Sequence, residues 1–281
     1  MKENNIEFSY PDNSFYFSHR EVYGHFNMLS HHFHNTFEVY YLLSGERYYF
    51  IKDRVFHIKP GNLVLINEND LHKTTDADTK DHTRILLNFS RDYLMSNSQT
   101  NILLKDLFTQ NINVIPLLPT DQQHVEALLY RMNHEIQQKT IGYEISLQSL
   151  LLELLVYTRR TIKEDNINGL DHPSPMHEKI SEIVQFINRN YSNPLTLLSI
   201  SKQFYVSQYY LSRAFKQVTG FTFIEYLNSV RIREAQLLLR QSNEKVINIG
   251  EKVGFQNNSH FGRVFKEITN LSPLQYRKLN K

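Results

Sequence analysis

Two stretches near the C-terminus repeat each other at an offset of 50 residues. Leu211, Arg213, Phe215, Lys216 and Thr219 recur as Phe261, Arg263, Phe265, Lys266 and Thr269. Thr222-Phe223-Ile224-Glu225-Tyr226 recurs as Ser272-Pro273-Leu274-Gln275-Tyr276. A repeat at fixed spacing is one structural unit used twice, so it constrains the fold before any other pattern does. Each copy reads as a short helix, a tight turn, a second helix with an exposed Arg/Lys edge, and a cap. That is the pattern of a helix-turn-helix, whose second helix enters a DNA major groove. Two tandem copies predict one protomer reading two successive grooves of double-stranded DNA.

In the first copy the positioning helix spans about 196–204, with Thr196 as cap and the turn at Tyr205-Val206. Ser207 caps a recognition helix over about 208–218, which buries Leu211, Ala214, Phe215 and Val218. Its other edge presents Gln208, Tyr209, Ser212, Arg213 and Lys216. The second copy has a positioning helix over about 245–253, a turn at Gly254-Phe255 and a recognition helix from Asn257 or Asn258. It presents Ser259, His260, Arg263 and Lys266, and buries Phe261, Val264, Phe265 and Ile268. Gly220 and Asn270 stand just past the recognition helices, where a left-handed residue ends a helix. The DNA-facing set is therefore Ser207, Gln208, Tyr209, Ser212, Arg213, Lys216, Asn257, Asn258, Ser259, His260, Arg263 and Lys266. Between the copies, a helix over about 223–240 begins with a capping box of Thr222 and Glu225, a device that Ser272 and Gln275 repeat. At 1.5 Å per residue this rod is about 27 Å long, near one turn of duplex. Arg231 and Arg233 on it suit phosphate or structural contacts.

Charge is divided the same way. From residue 171 onward there are 15 Lys/Arg and 8 Asp/Glu, whereas the preceding 170 residues carry 16 and 21. A basic half joined to an acidic half fits a DNA-contacting domain attached to one with another task. The chain has no Cys, which excludes a disulfide framework and fits a cytoplasmic setting. The N-terminus lacks the apolar core of a signal peptide, and the greasiest stretch, 147–157, is far too short to span a bilayer.

Residues 1 to about 90 are β-rich. Strands are expected at 37–43, 47–51, 55–58, 62–66 and 84–89, separated by turn signals at Ser44-Gly45, Lys52-Asp53-Arg54 and Pro60-Gly61. Many short strands imply a small antiparallel barrel or sandwich. The period then changes. Val125, Leu128, Leu129, Met132 and Ile136 share one helical face over 121–139, as do Leu147, Leu150, Leu151, Leu154 and Leu155 over 143–161. These helices either cover the strands or meet a second protomer. Residues 162–177, with two Pro and one Gly, read as a linker. A helix over about 176–190, burying Ile180, Ile183, Val184 and Ile187, opens the last domain.

The residues Leu211-Ser-Arg-Ala-Phe-Lys216, Gly220, Tyr226-Leu227, Arg231-Ile232, Ala235, Leu238-Leu239, Ile249, Val253-Gly254-Phe255, Phe261, Arg263-Val-Phe-Lys266, Ser272-Pro273 and Tyr276-Arg277 resemble the AraC/XylS family of bacterial transcription regulators over about 178–279. Ser201 and Gly250 depart from the usual Ala, and Asn270 from the usual Gly. Gly250 is expected to loosen its helix by up to ~1 kcal/mol. The resemblance implies Tyr209, Ser212, Arg213, Ser259, His260 and Arg263 as base readers. It also implies a cupin-type sensor in the N-terminal half. His32-Phe33-His34, Glu38 and Gly45 have the spacing of the first cupin motif, and Gly61 and His72 match part of the second. Asn67 and Asn69 replace that motif's Pro and Gly.

The expected fold is α+β. An N-terminal cupin-like antiparallel β-barrel with a helical hairpin (1–161) is followed by a linker (162–177) and an all-α tandem helix-turn-helix domain (178–281). The expected function is a cytoplasmic, ligand-responsive transcription regulator. It is expected to act as an activator and homodimer, with DNA, RNA polymerase and a small-molecule effector as partners. His32, His34, Glu38, Tyr40, His72 and Arg84 are the candidate effector residues, with Tyr49 a further pocket residue. Aromatic residues stacking on a ligand suit a carbohydrate. His32, His34, Glu38 and His72 also form a donor set for Zn, Fe, Mn or Ni, so a metal-dependent cupin enzyme or metal sensor with a DNA-binding tail is the alternative. The reading adopted has no catalytic residue, no metal and no cofactor.

Overall fold

The computed structural model describes residues 5–26, 33–94, 97–109, 112–162 and 174–280. They form two compact units, each taken by itself below.

The first unit contains β1 (Ile6–Ser9), β2 (Phe15–Val22), β3 (Phe37–Ser44), β4 (Arg47–Ile51), β5 (Arg54–Ile58), β6 (Asn62–Ile66), β7 (His72–Asp76), β8 (His82–Phe89) and β9 (Val114–Pro116). Six strands pair in the order β1-β2-β8-β3-β6-β9, and three in the order β5-β4-β7. The expected barrel is therefore an open arrangement of two sheets. Gly45 turns with φ 82°, and a Cβ there would collide with the Asp81 carbonyl at 2.3 Å, so only glycine fits. Asn69, where the cupin motif usually has Gly, adopts φ 62° and supplies the same backbone shape.

Register divides the large sheet into two chemically different faces. Phe15, Phe17, Phe37, Val39, Tyr41, Leu63, Leu65, Ile85, Leu87 and Phe89 point to one side, as period-two alternation requires. There they share one core with α1 (Ser98–Phe108), α2 (Pro119–Gln138) and α3 (Tyr143–Thr161). Val125, Leu128, Leu129, Met132 and Ile136 of α2 and Leu147, Leu150, Leu151, Leu154 and Leu155 of α3 all lie in that core. The helical pair thus covers the sheet. The opposite face carries Glu38, Tyr40, Arg84 and Asn88. Its apolar part, with Tyr40, Leu42 and Val64, packs on Tyr49, Ile51, Phe56 and Ile58 of the small sheet.

The second unit is helical: α4 (Pro175–Asn190), α5 (Leu197–Gln203), α6 (Gln208–Thr219), α7 (Phe223–Gln241), α8 (Val246–Lys252), α9 (Asn258–Thr269) and α10 (Pro273–Leu279). The linker expected over 162–177 lies mainly outside the described residues, and its last three positions form the first turn of α4. α6 packs on α4 and α5, α9 packs on α8, and α7 touches both recognition helices.

The repeat holds in atomic detail. Thr219 Oγ1 donates to the Phe215 carbonyl at 2.7 Å and accepts from Phe221 N at 3.1 Å. Thr269 does the same with Phe265 and Leu271, at 2.8 and 3.3 Å. Gly220 and Asn270 both end their helices in the left-handed region, at φ 76° and 58°. Capping boxes form at Thr222/Glu225 and Ser272/Gln275. The offset is 50 residues for the recognition helices but 49 for the positioning helices. Val206 N bonds Ser201 O, and Phe255 N bonds Gly250 O, so Gln256 is an extra residue in the second turn. At the turn itself, Tyr205 (φ 55°) stands where the second copy has Gly254 (φ 98°).

Left-handed backbone costs a side-chain-bearing residue roughly 1 kcal/mol relative to glycine. Gly220→Ala should therefore lower the stability of this unit by about 1 kcal/mol, and Tyr205→Gly should raise it by a similar amount. Chemical denaturation of the full chain measures both. A shift in the opposite direction for either would contradict the backbone assignment.

Candidate functional site

The apolar faces of α6 and α9 dictate which residues remain outside. Leu211, Ala214, Phe215 and Val218 are buried in α6, and Phe261, Val264 and Phe265 in α9, with Ile268 half-buried. Gln208, Tyr209, Ser212, Arg213 and Lys216 are all exposed, as are Asn258, Ser259, His260, Arg263 and Lys266. Ser207 and Asn257 are exposed too, but their side chains are engaged as N-caps. Ser207 Oγ accepts from Tyr210 N at 3.1 Å, and Asn257 Oδ1 from His260 N at 3.0 Å.

Arg213, Lys216, Arg263 and Lys266 form no ion pair among the described residues. Lys179, Arg233 and Lys252 elsewhere in this unit each have a carboxylate partner. The Arg213 guanidinium is held in place by the Tyr209 hydroxyl, 3.0 Å from Nη1, and lies 5.6 Å from that ring. His260 packs edge-on against Phe255 at 5.6 Å. Four free cations on two matched helical edges make a surface suited to a polyanion.

Arg231 is different. It is buried, and it donates from Nε to the Tyr191 carbonyl at 2.8 Å and from Nη2 to the Asn193 carbonyl at 2.9 Å. Its role is structural. Gly254 lies beside it, and a Cβ there would press on the Tyr191 and Ser192 carbonyls at 2.9 and 2.8 Å. Gly250 is also set by contact rather than by looseness. A Cβ at that position would stand 2.9 Å from the buried Phe261 ring, so the glycine lets the recognition helix approach.

The second candidate site lies on the inner face of the large sheet. Glu38 on β3 is buried and accepts from Tyr49 Oη at 2.5 Å, Asn88 Nδ2 at 3.1 Å and His34 Nε2 at 3.2 Å. His72 Nε2 is 3.6 Å from the same carboxylate. Each imidazole is oriented by its other nitrogen: His34 Nδ1 faces the Thr36 carbonyl at 2.9 Å, and His72 Nδ1 the Asp70 carbonyl at 2.8 Å. Burial opposes charge on both partners, but their mutual attraction prevails. Glu38 is brought well below the usual carboxylate range, with His72 and then His34 responsible, and His72 is raised by Glu38. Donor atoms of His34, Glu38 and His72 lie within 4.8 Å of one another, and both imidazoles have the carbonyl support that metal-ligating histidines use. His32 lies outside the described residues. His34 precedes β3 rather than sharing its alternation, and reaches Glu38 from the entering loop.

Tyr40 and Arg84 lie on the same inner face, with the guanidinium 6.0 Å from the Tyr40 ring. Burial pushes the Tyr40 phenol up to about 12. Asn88 was legible in the alternation His82, Arg84, Leu86, Asn88 yet falls outside the set expected from sequence. At the other end of β8, burial and the nearby cations of Arg47 and Arg84 push the His82 imidazole down to about 4.

Comparison with known proteins decides the family. A model described as "AraC-like ligand binding domain" matches residues 19–155, and one described as "Helix-turn-helix domain" matches 200–279. The chain belongs to the AraC family of transcriptional regulators. Relatives include the uncharacterized HTH-type transcriptional regulator YdeC of Bacillus subtilis, 26% identical over 89% of this chain and 86% of its own length. The HTH-type transcriptional activator RhaR of Mannheimia succiniciproducens is 24% identical, over 88% and 86%. The melibiose operon regulatory protein of Escherichia coli is 25% identical, over 90% and 85%. These are regulators rather than enzymes. Among the described residues of this AraC-family regulator, no helix is long and apolar enough to cross a membrane.

An unfolded histidine binds its proton near pH 6.5, whereas folded His82 holds off protonation until about 4. The unfolded chain therefore binds more protons across that window, and stability falls as pH drops through it. His82→Gln should remove about 2 to 3 kcal/mol of that loss between pH 6.5 and 4, at roughly 1.4 kcal/mol per pKa unit. Thermal unfolding of both full chains across that pH range tests this. Parallel pH profiles would contradict it.

Proposed function

We propose that this regulator is a cytoplasmic homodimer that activates transcription by placing α6 and α9 in two consecutive major grooves. RNA polymerase is its partner at the promoter, and the inner-face site of the N-terminal unit binds a carbohydrate effector. The observation that carries the DNA reading is the pair of matched recognition edges whose cations lack carboxylate partners among the described residues. Arg213 and Arg263 read base edges through bidentate contacts to guanine. Tyr209, Ser212, Ser259 and His260 contribute further contacts, and Lys216 and Lys266 contact phosphate. α7, at 19 residues, is about 28 Å long and spaces the two edges. Ile145 and Leu152, exposed on the outer side of α3, supply apolar surface for the dimer. Effector binding shifts a pre-existing equilibrium between protomer or domain arrangements. Activation is supported by the relative named as an activator, and a sugar effector by the relative named for the melibiose operon.

Arg213→Ala and Arg263→Ala should each weaken binding to the cognate site by about 1–3 kcal/mol and relax selectivity at the bases read. A gel-shift titration against cognate and random duplexes measures both. If the double variant retained affinity and selectivity, other residues would be the readers.

The His34, Glu38 and His72 cluster supports a second reading, in which the N-terminal unit senses a divalent metal. Under the effector reading, protein purified without a polyhistidine tag carries metal well below one equivalent. One equivalent of Zn, Fe, Mn or Ni, lost on His34→Ala, would favour the metal reading instead.

A further inference from the structure

Among the described residues, the inner face of the large sheet holds a cation with no carboxylate partner, Arg84. Arg84 on β8 stands opposite Arg20 of β2 and Leu42 of β3, and is 9% exposed. Its Nη1 is buried without a hydrogen-bond partner, and no ion pair engages the guanidinium among the described residues. The acid whose charge it feels, Glu7, is engaged by Arg20 and by the Tyr16 hydroxyl. The neighbouring charges are matched: Arg47 with Asp76, and His72 with Glu38, which also accepts from His34 Nε2. His82 stays neutral at physiological pH. Tyr40 Oη, on the same face and beside the guanidinium, is likewise buried without a partner.

A guanidinium taken out of water without a counter-charge is strongly unfavourable, and an unpaired buried hydroxyl adds to the penalty. Such a pair persists where something beyond the described residues completes it. The planar fork of Arg matches a carboxylate in two parallel hydrogen bonds, and the Tyr40 hydroxyl can donate a third. We propose that Arg84 and Tyr40 receive a carboxylate, so that the effector is a sugar acid rather than a neutral sugar. The inference rests on the effector-site reading above. A single unmatched positive charge suits a monoanion, whereas a phosphate monoester, with nearly two negative charges, would leave a surplus. Asn88 lies four residues along the same strand, about 13 Å away at 3.3 Å per residue, so polar groups continue along the face toward Glu38.

The test is calorimetric titration of the full-length protein with matched pairs: D-galacturonate against D-galactose and D-glucuronate against D-glucose, with D-glucose 6-phosphate as a further arm. At least one uronate should bind, with its neutral partner at least about tenfold weaker and the sugar phosphate weaker than the uronate. Arg84→Gln should weaken uronate binding by about 10- to 100-fold, the range for a charged hydrogen bond. Arg84→Met, measured without ligand, should match or exceed the wild-type melting temperature, because it removes an uncompensated buried charge. Equal binding of neutral and acidic sugars, or uronate binding unaffected by Arg84→Gln, would overturn the carboxylate inference and leave the effector-site reading standing. Tighter binding of the sugar phosphate would overturn it in the same way. A large loss of stability in Arg84→Met would make Arg84 a structural residue and overturn it too. If no sugar of either kind bound, both readings would fail together.

Discussion

The rotation of each recognition helix about its own axis is fixed by one aromatic contact, and the outward aim of the basic residues follows from it. Phe215 packs edge-on against Tyr226 at 5.6 Å, and Phe265 against Tyr276 at 5.5 Å. All four rings are buried. A residue two positions before each phenylalanine lies about 200° around the helix, which puts Arg213 and Arg263 on the far side from the core. The threonine bridges and left-handed caps that follow hold the next helix in place. α7 completes the first aromatic contact and α10 the second.

The C-terminal unit was legible because each local signal agreed with the global one: caps, turn residues and apolar period all named the same boundaries. The sequence misled at Gly250. Helix propensity treats glycine as a weakness, but the close approach of Phe261 is what that position accommodates. The shift from a 49- to a 50-residue offset was already implicit in the expected bounds, which set the positioning helices and turns 49 residues apart and the caps Ser207 and Asn257 50 apart.

The N-terminal half was legible in part, for reasons that lie in its two-faced sheet. β3, β4, β5 and β6 carry apolar residues toward a core and announced themselves. β7 turns His72 and Thr74 inward, both buried, so it lacks the alternation that betrays a strand. β9 has three residues, and α1 opens with the polar Ser98-Gln99-Thr100-Asn101 before its apolar face begins. The grouping of His34, Glu38 and His72 could be anticipated from motif spacing. Arg84 and Tyr40 could be named as pocket residues, but the lack of a counter-charge for Arg84 among the described residues could not, because pairing across a sheet is invisible until register is known.

The two units divide the work by the kind of polar group each leaves unsatisfied. The helical unit leaves cations exposed on two matched edges, where a polyanion can reach them. The sheet unit leaves polar atoms of Tyr40 and Arg84 buried beside a matched ion pair, without a partner among the described residues. Methylation interference on a bound promoter fragment tests the central claim most directly. The account predicts two clusters of interfering guanine N7 positions on one face of the duplex, about 10 base pairs apart. It further predicts that Arg213→Ala erases one cluster and Arg263→Ala the other. A single cluster, or two that persist in both variants, would contradict it.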